Sequence, residues 1–121
     1  MRTEVHIRRP FGAAEEDVAG WRVLRVTGEV GDATAGLLST LVVYAVRRGA
    51  RNVCIDLSEL DRVDPGGVDA LRRCQHAAGH EGGRLAVIRP DDPVVAEVLE
   101  SNGVRRHVRL IARREQLAPG A

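Results

Sequence analysis

Four groupings of side chains in this sequence carry groups able to do chemistry. Cys74, His76 and His80 offer metal-ligating atoms, because histidines four residues apart share a helix face. A helix through this stretch would bury Cys74 and turn both histidines about 160 to 200° away from it, so no common ligand sphere forms and no metal is expected. With Asp69, Arg72 and Arg73 the two histidines read as a solvated face. Cys54 and Cys74 could meet as a disulfide, since about 10 Å of strand and about 12 Å of helix on either side of a corner would bring them level. Cys54 alternates with Asp56, opposite Val53, Ile55 and Leu57, so the sulfurs are expected on different sides of the sheet. Free buried thiols in a reducing compartment follow. Arg105, Arg106, His107 and Arg109, with Arg113 and Arg114, form a basic run. It either meets phosphates or an acidic partner, or serves as a charged edge that discourages strand addition.

The fourth grouping is Asp64-Pro65-Gly66-Gly67, directly after an apolar strand. Helix amides at such a corner can hold an anion. Here Glu59, Asp61, Asp64 and Asp69 surround it with negative charge, no lysine stands beside it, and no Walker pattern is present. A phosphate would be repelled. No nucleophile with its base and no carboxylate pair in an apolar pocket is recognisable either, so the chain is expected to be non-catalytic and to need no cofactor. The corner does offer a capped helix start. Asp64 can cap the amides of Gly66 and Gly67, Pro65 suits the first helical position, and the bare glycines let another backbone approach closely.

The elements that position this corner follow from periodicity. Residues 4–9 alternate apolar and polar and predict a half-buried edge strand that Pro10 and Gly12 end; residues 10–20 are expected to be loop. Trp21–Thr27 predicts a second strand, antiparallel to the first, and Gly28–Gly31 a turn. Asp32 is the expected N-cap of a helix over 33–48 that buries Leu38, Leu41, Val42 and Ala45. Leu37, Val43 and Tyr44 fall off that stripe, as incidental surface or as a contact face for a partner or second copy. Val53–Leu57 reads as a central strand. The helix after Asp64 buries Gly67, Ala70, Leu71, Cys74, Ala77 and Ala78 and ends at Gly79–Gly83. Arg84–Arg89 is a strand, Asp92-Pro93 opens a helix that stops near Gly103, and His107–Ile111 is a last strand. Residues 111–121 form a short tail or helical turn. Strand and helix alternate from Trp21 onward, which predicts an α/β domain with a mixed, mostly parallel sheet of about five strands and crossover helices.

Composition is consistent with that. The 121 residues suit one domain over 1–121. Aromatic residues are 2% of the chain, too few for a base-stacking platform, and the formal charge of +1 gives no nucleic-acid-binding surplus. No apolar run approaches the roughly 18 residues that span a bilayer, and the N-terminal residues lack a signal peptide's apolar core. A cytoplasmic protein without direct membrane insertion is expected.

The stretch from Trp21 to about Leu110 resembles the STAS domain of bacterial anti-sigma-factor antagonists. The resemblance rests on Gly28-Glu29-Val30-Gly31 where that family has Gly-Glu-Leu-Asp, on Ala33-Thr34-Ala35, and on Asp56-Leu57 at a strand end. It rests also on Asp64-Pro65-Gly66-Gly67 in place of Asp-Ser-Ser-Gly and on a late Gly103-Val104 step. It implies a single STAS domain that binds an anti-sigma factor or a related serine-kinase-like regulator. In the family the second Ser of the corner is phosphorylated by that kinase, which breaks the complex. Here Gly66 holds that position and Pro65 the one before, so no phosphoacceptor is expected.

The partner-binding residues implied are Glu29, Gly31, Asp32, Asp61, Asp64, Pro65, Gly66, Gly67 and Val68. Gly31 departs from the family's Asp and puts any contact of that side chain in doubt. Two other uses of the fold stay open: an accessory subunit of a lipid-transport ATPase complex, and a homodimeric or larger self-assembled scaffold.

Overall fold

The computed structural model describes residues 10–118. Strand β1 (Gly12–Val18) runs antiparallel to β2 (Trp21–Thr27), and β2, β4 (Asn52–Asp56), β6 (Arg84–Ile88) and β7 (Leu110–Ile111) follow one another in parallel. The sheet order is β1-β2-β4-β6-β7, which puts β4 at its centre. Helices α1 (Ala35–Arg47), α2 (Gly67–His80) and α3 (Pro93–Ser101) are the crossovers. A separate parallel ribbon joins β3 (Glu29–Val30) to β5 (Arg62–Val63). The expected mixed, mostly parallel five-stranded sheet with crossover helices is therefore present.

Every residue of β4 is buried, as a strand covered on both faces requires. Leu24, Val26, Val53, Ile55, Leu85 and Val87 meet the buried stripes of α1 and α2 on one face. Trp21, Val23, Cys54, Ala86 and Ile88 lie on the other, with Ile111 and Leu117. The Trp21 indole N–H donates to the Ala118 carbonyl at 2.5 Å, so the C-terminal segment lies along this second face.

Several expectations change. Residues 12–18, expected to be loop, are the strand that pairs with β2; the expected strand over 4–9 lies outside the described residues. The cause is the turn. Ala19 and Gly20 both have positive φ (51° and 84°), the two-residue geometry whose twist matches a hairpin, and Arg22 fastens the pair to Asp17 at 2.7 Å. β1 is a strand because β2 holds it, while its own side chains from Ala13 to Asp17 are exposed and show no alternation. The expected turn at 28–31 includes strand β3, and the last strand shrinks to two residues because the turn at Val104–Arg106 runs on through His107 and Val108, whose amides donate to the Val104 carbonyl.

Asp32 does not cap α1. Thr34 stands at the N-cap without a side-chain cap bond; its hydroxyl accepts from the Gly31 amide at 3.1 Å and faces the Glu29 carbonyl at 3.2 Å. Leu41 and Ala77 are only half-buried. Asp92 caps α3 as expected, accepting from Val94 at 2.8 Å.

Candidate functional site

Two short connections meet at the corner before α2, and the β3–β5 ribbon brings them together. Glu29 pairs with Arg62 and Val30 with Val63, and the Asp64 amide donates to the Val30 carbonyl at 3.2 Å. The Gly28 carbonyl accepts from the amides of Asp61 and Arg62. Gly28 has φ +86°, and a Cβ there would fall 2.5 Å from the Pro10 carbonyl oxygen, so only glycine allows this approach. Residues far apart in the chain, 29–32 and 61–68, thus form one surface.

Asp64 is half-buried, and its carboxylate accepts from the Gly66 amide at 2.7 Å. The Gly67 amide is taken by the Asp64 main-chain carbonyl at 2.8 Å, so only one of the two amides expected goes to the Asp64 side chain. The helix itself starts two residues later than Pro65 would set it: Gly66 is the N-cap, without a side-chain cap bond, and Gly67 the first helical residue, so Asp64 turns the chain ahead of α2 rather than capping it.

Side chains crowd the space beside these glycines. A Cβ on Gly31 would overlap the Asp64 carboxylate, and one on Gly66 would overlap the Asp32 carboxylate and lie 2.9 Å from Asp64 Oδ1. Gly66 has ordinary helical angles, φ −73° and ψ −9°. The space a side chain would take is occupied by the two carboxylates beside it, which a larger residue would push aside. A Cβ on Gly67 would overlap the Val63 side chain and approach the Val30 carbonyl oxygen at 3.2 Å, because the start of α2 lies flat on the ribbon.

The nine residues expected to bind a partner divide by depth. Asp32, Asp61 and Pro65 are exposed; Glu29, Asp64 and Gly66 are half-buried; Gly31, Gly67 and Val68 lie beneath, with Val68 in the core. The surrounding acids are partly neutralised. Asp69 pairs with Arg72 at 2.7 Å and Arg73 at 2.9 Å, and the Arg72 hydrogen bond first, then its charge and that of Arg73, hold the Asp69 carboxyl below the usual range. Glu59 faces Arg25 at 3.4 Å. The corner presents an acidic turn in which the main chain of Gly66 is half-buried.

The other groupings do not form sites. Cys74 is in the core while His76 and His80 are exposed, and no cluster able to hold a metal ion occurs among the described residues. Cys54 and Cys74 sit on opposite faces of the sheet, as their alternation predicts. The basic run is dispersed rather than gathered: Arg105 pairs with Glu100 at 2.9 Å, and Arg114 turns inward to buried Asp56 at 3.1 Å and also reaches Glu16. Periodicity could not reveal the Asp56–Arg114 pair, whose members are 58 residues apart.

A family model described as Mlab, STAS domain, matches residues 15–112. Among solved structures the fold is similar to an anti-sigma factor antagonist from Mycobacterium paratuberculosis, at 23% identity over 88% of this chain and 89% of that one, with a TM-score of 0.72. It is also similar to SpoIIAA in its unphosphorylated form, at 19% identity over 88% and 91% of the two chains and a TM-score of 0.63. The Bacillus cell fate determinant SpoIIAA in its phosphorylated form gives 18%, 88% and 95%, and 0.56. No curated protein matches the chain.

Proposed function

Given that this chain belongs to the STAS domain family, we propose that it is a non-catalytic regulatory module that docks an anti-sigma factor or a related kinase-like protein through the corner at Asp64–Gly66, and that phosphorylation there cannot release it. The observation that carries this reading is the filling of the Gly66 side-chain space by the Asp32 carboxylate, with Asp64 Oδ1 beside it. Where relatives of this fold have been solved in phosphorylated and unphosphorylated forms, this corner has no hydroxyl to modify. The nearby Thr34 hydroxyl is half-buried and engaged with Gly31 and Glu29. Asp32, Asp61, Pro65 and the exposed parts of Glu29, Asp64 and Gly66 form the contact surface; Gly31, Gly67 and Val68 support it from below. The module acts in the cytoplasm in this reading; no described helix is long and apolar enough to cross a membrane.

The test mixes the purified chain with candidate anti-sigma kinases and ATP. Binding without phosphate incorporation is expected, and a phosphorylated Ser or Thr would overturn the unswitchable part. Gly66→Asp adds a third carboxylate and displaces Asp32, so it is expected to weaken docking at least about tenfold, the scale of 1.4 kcal/mol. A partner that stays bound to folded Gly66→Asp would show that the corner is not the interface.

The missing hydroxyl also favours a second use of the fold, as an accessory subunit of a lipid-transport ATPase complex. Transporter genes beside this one, and co-purification with an ATPase rather than a kinase-like regulator, would select it.

A further inference from the structure

The solvent face of α1 is unlike that of the other helices. In a chain with 29% charged residues, residues 33–46 contain no Asp, Glu, Lys, Arg or His. By contrast α2 exposes Arg72, Arg73, His76 and His80; α3 exposes Glu97 next to a single apolar side chain, Val94, rather than a stripe. An amphipathic helix that meets only water usually carries charge on its outer face. Leu37 and Tyr44, 51% and 61% exposed, stand seven residues apart with half-buried Leu41 between them, at the spacing that aligns side chains along one stripe. Gly36 lies beside them with nothing within 4 Å of where its Cβ would be. A groove of about 360 Å³, lined by Ser39, Thr40, Val43 and Tyr44 of α1 and Ala77 of α2, flanks the stripe, and Arg47, the one charged residue of α1, closes its C-terminal end while pairing with Glu81.

We propose that this face is covered by a second copy of the chain, with the two α1 helices antiparallel about a two-fold axis near Thr40 and Leu41. The charges at the ends favour this occupant. Asp32 lies three residues ahead of the helix, its exposed carboxylate leaning over Gly66 at the corner, and Arg48 just after the helix; among the described residues neither has an ion-pair partner. Antiparallel pairing sets Leu37 of one copy against Tyr44 of the other and brings each Asp32 end to the other copy's Arg48 end. A two-fold contact must be self-complementary in this way. The helix ends also meet with opposite dipoles.

Size sets the strength. One face of a helix about 20 Å long and 10 Å wide offers a few hundred Å² even with the groove, against about 800 Å² per partner in a standard interface. The dimer is accordingly weak, with a dissociation constant of tens to hundreds of micromolar.

Sedimentation velocity of the full chain from about 5 to 500 μM reads this range directly. A concentration-dependent shift from monomer to dimer is expected. Tyr44→Glu and Leu37→Glu, both at exposed positions, should each weaken association at least tenfold without changing the thermal unfolding midpoint. Asp32→Arg and Arg48→Asp should each weaken it several-fold alone, whereas their equimolar mixture restores it, since both end contacts become attractive again. A single monomeric species at 500 μM would overturn the proposal and leave the face to a different partner. Unaltered association of Tyr44→Glu, or a mixture no tighter than either charge variant, would overturn the antiparallel arrangement. None of these outcomes depends on what docks at the corner.

Discussion

At the residue scale, the two cysteines show how burial decides chemistry. Both are inaccessible, and burial pushes each thiol up to about 12; for Cys54 the neighbouring Asp56 carboxylate adds to the effect. Since the thiolate is the reactive form, a thiol reagent at pH 8 should label neither cysteine in the folded chain and both after unfolding. Rapid labelling of the native protein would contradict this. The same shift has a sign for stability. An acid whose folded pKa is raised keeps its proton where the unfolded chain has lost it, so the contribution is whole below about pH 9 and is lost progressively as the pH rises towards 12. At the corner, Asp64 was legible because Asp before Pro and Gly is a helix-start pattern. The position of the Asp32 carboxylate over Gly66 was not, since it depends on a contact between residues 34 positions apart that no local pattern encodes.

At the scale of an element, α2 contains a built-in contrast. Gly67 lies against Val63 and the Val30 carbonyl, while a Cβ on Gly79 would meet nothing within 4 Å. Gly79→Ala should stabilise the chain by about 0.5–1 kcal/mol through helix propensity. Gly67→Ala should destabilise it by about 1–2 kcal/mol, because the overlap with a stiff β-branched side chain outweighs the same gain in a first turn. Chemical denaturation of the two variants checks both signs, and a stabilised Gly67→Ala would mean that α2 does not rest on the ribbon as described. The helices α1 to α3 and strands β2, β4 and β6 were legible because each is long enough to show a period. The ribbon was not: two residues, Val30 and Val63, cannot display alternation, and their pairing is fixed by main-chain bonds to Gly28 and Val30. Strand β1 escaped for a different reason, since its partner and its turn define it and its own side chains do not. The ribbon supplies most of the corner's geometry.

At the scale of the whole molecule, one arginine ties three distant segments. Arg114 of the C-terminal segment reaches Asp56 at the end of the central strand and Glu16 on the edge strand, and the Asp56 carboxylate also accepts from the Ser58 amide at 2.9 Å. Asp56 is buried, so removing its cation is costly. The hydrogen bonds that Arg114 donates, to Glu16 first and then to Asp56, raise its pKa and keep it charged. Arg114→Gln should lower stability by about 1–3 kcal/mol, less than a fully enclosed pair would lose because Arg114 is partly solvated. Adding Asp56→Asn should recover part of that loss. A double variant as unstable as the sum of the two single ones would show that the groups act independently. The hairpin edge has a consequence of another kind. β1 presents Glu15, Glu16 and Asp17 to solvent, and at the far end of the sheet β7 has only two residues. Among the described residues neither border is a long apolar template on which further chains could stack strand by strand: β1 is lined by charged side chains held by Arg22 and Arg114, and β7 is too short. If the α1 faces pair about a two-fold axis as proposed, association closes at two molecules, and the concentrated protein should stay in solution instead of growing into fibres.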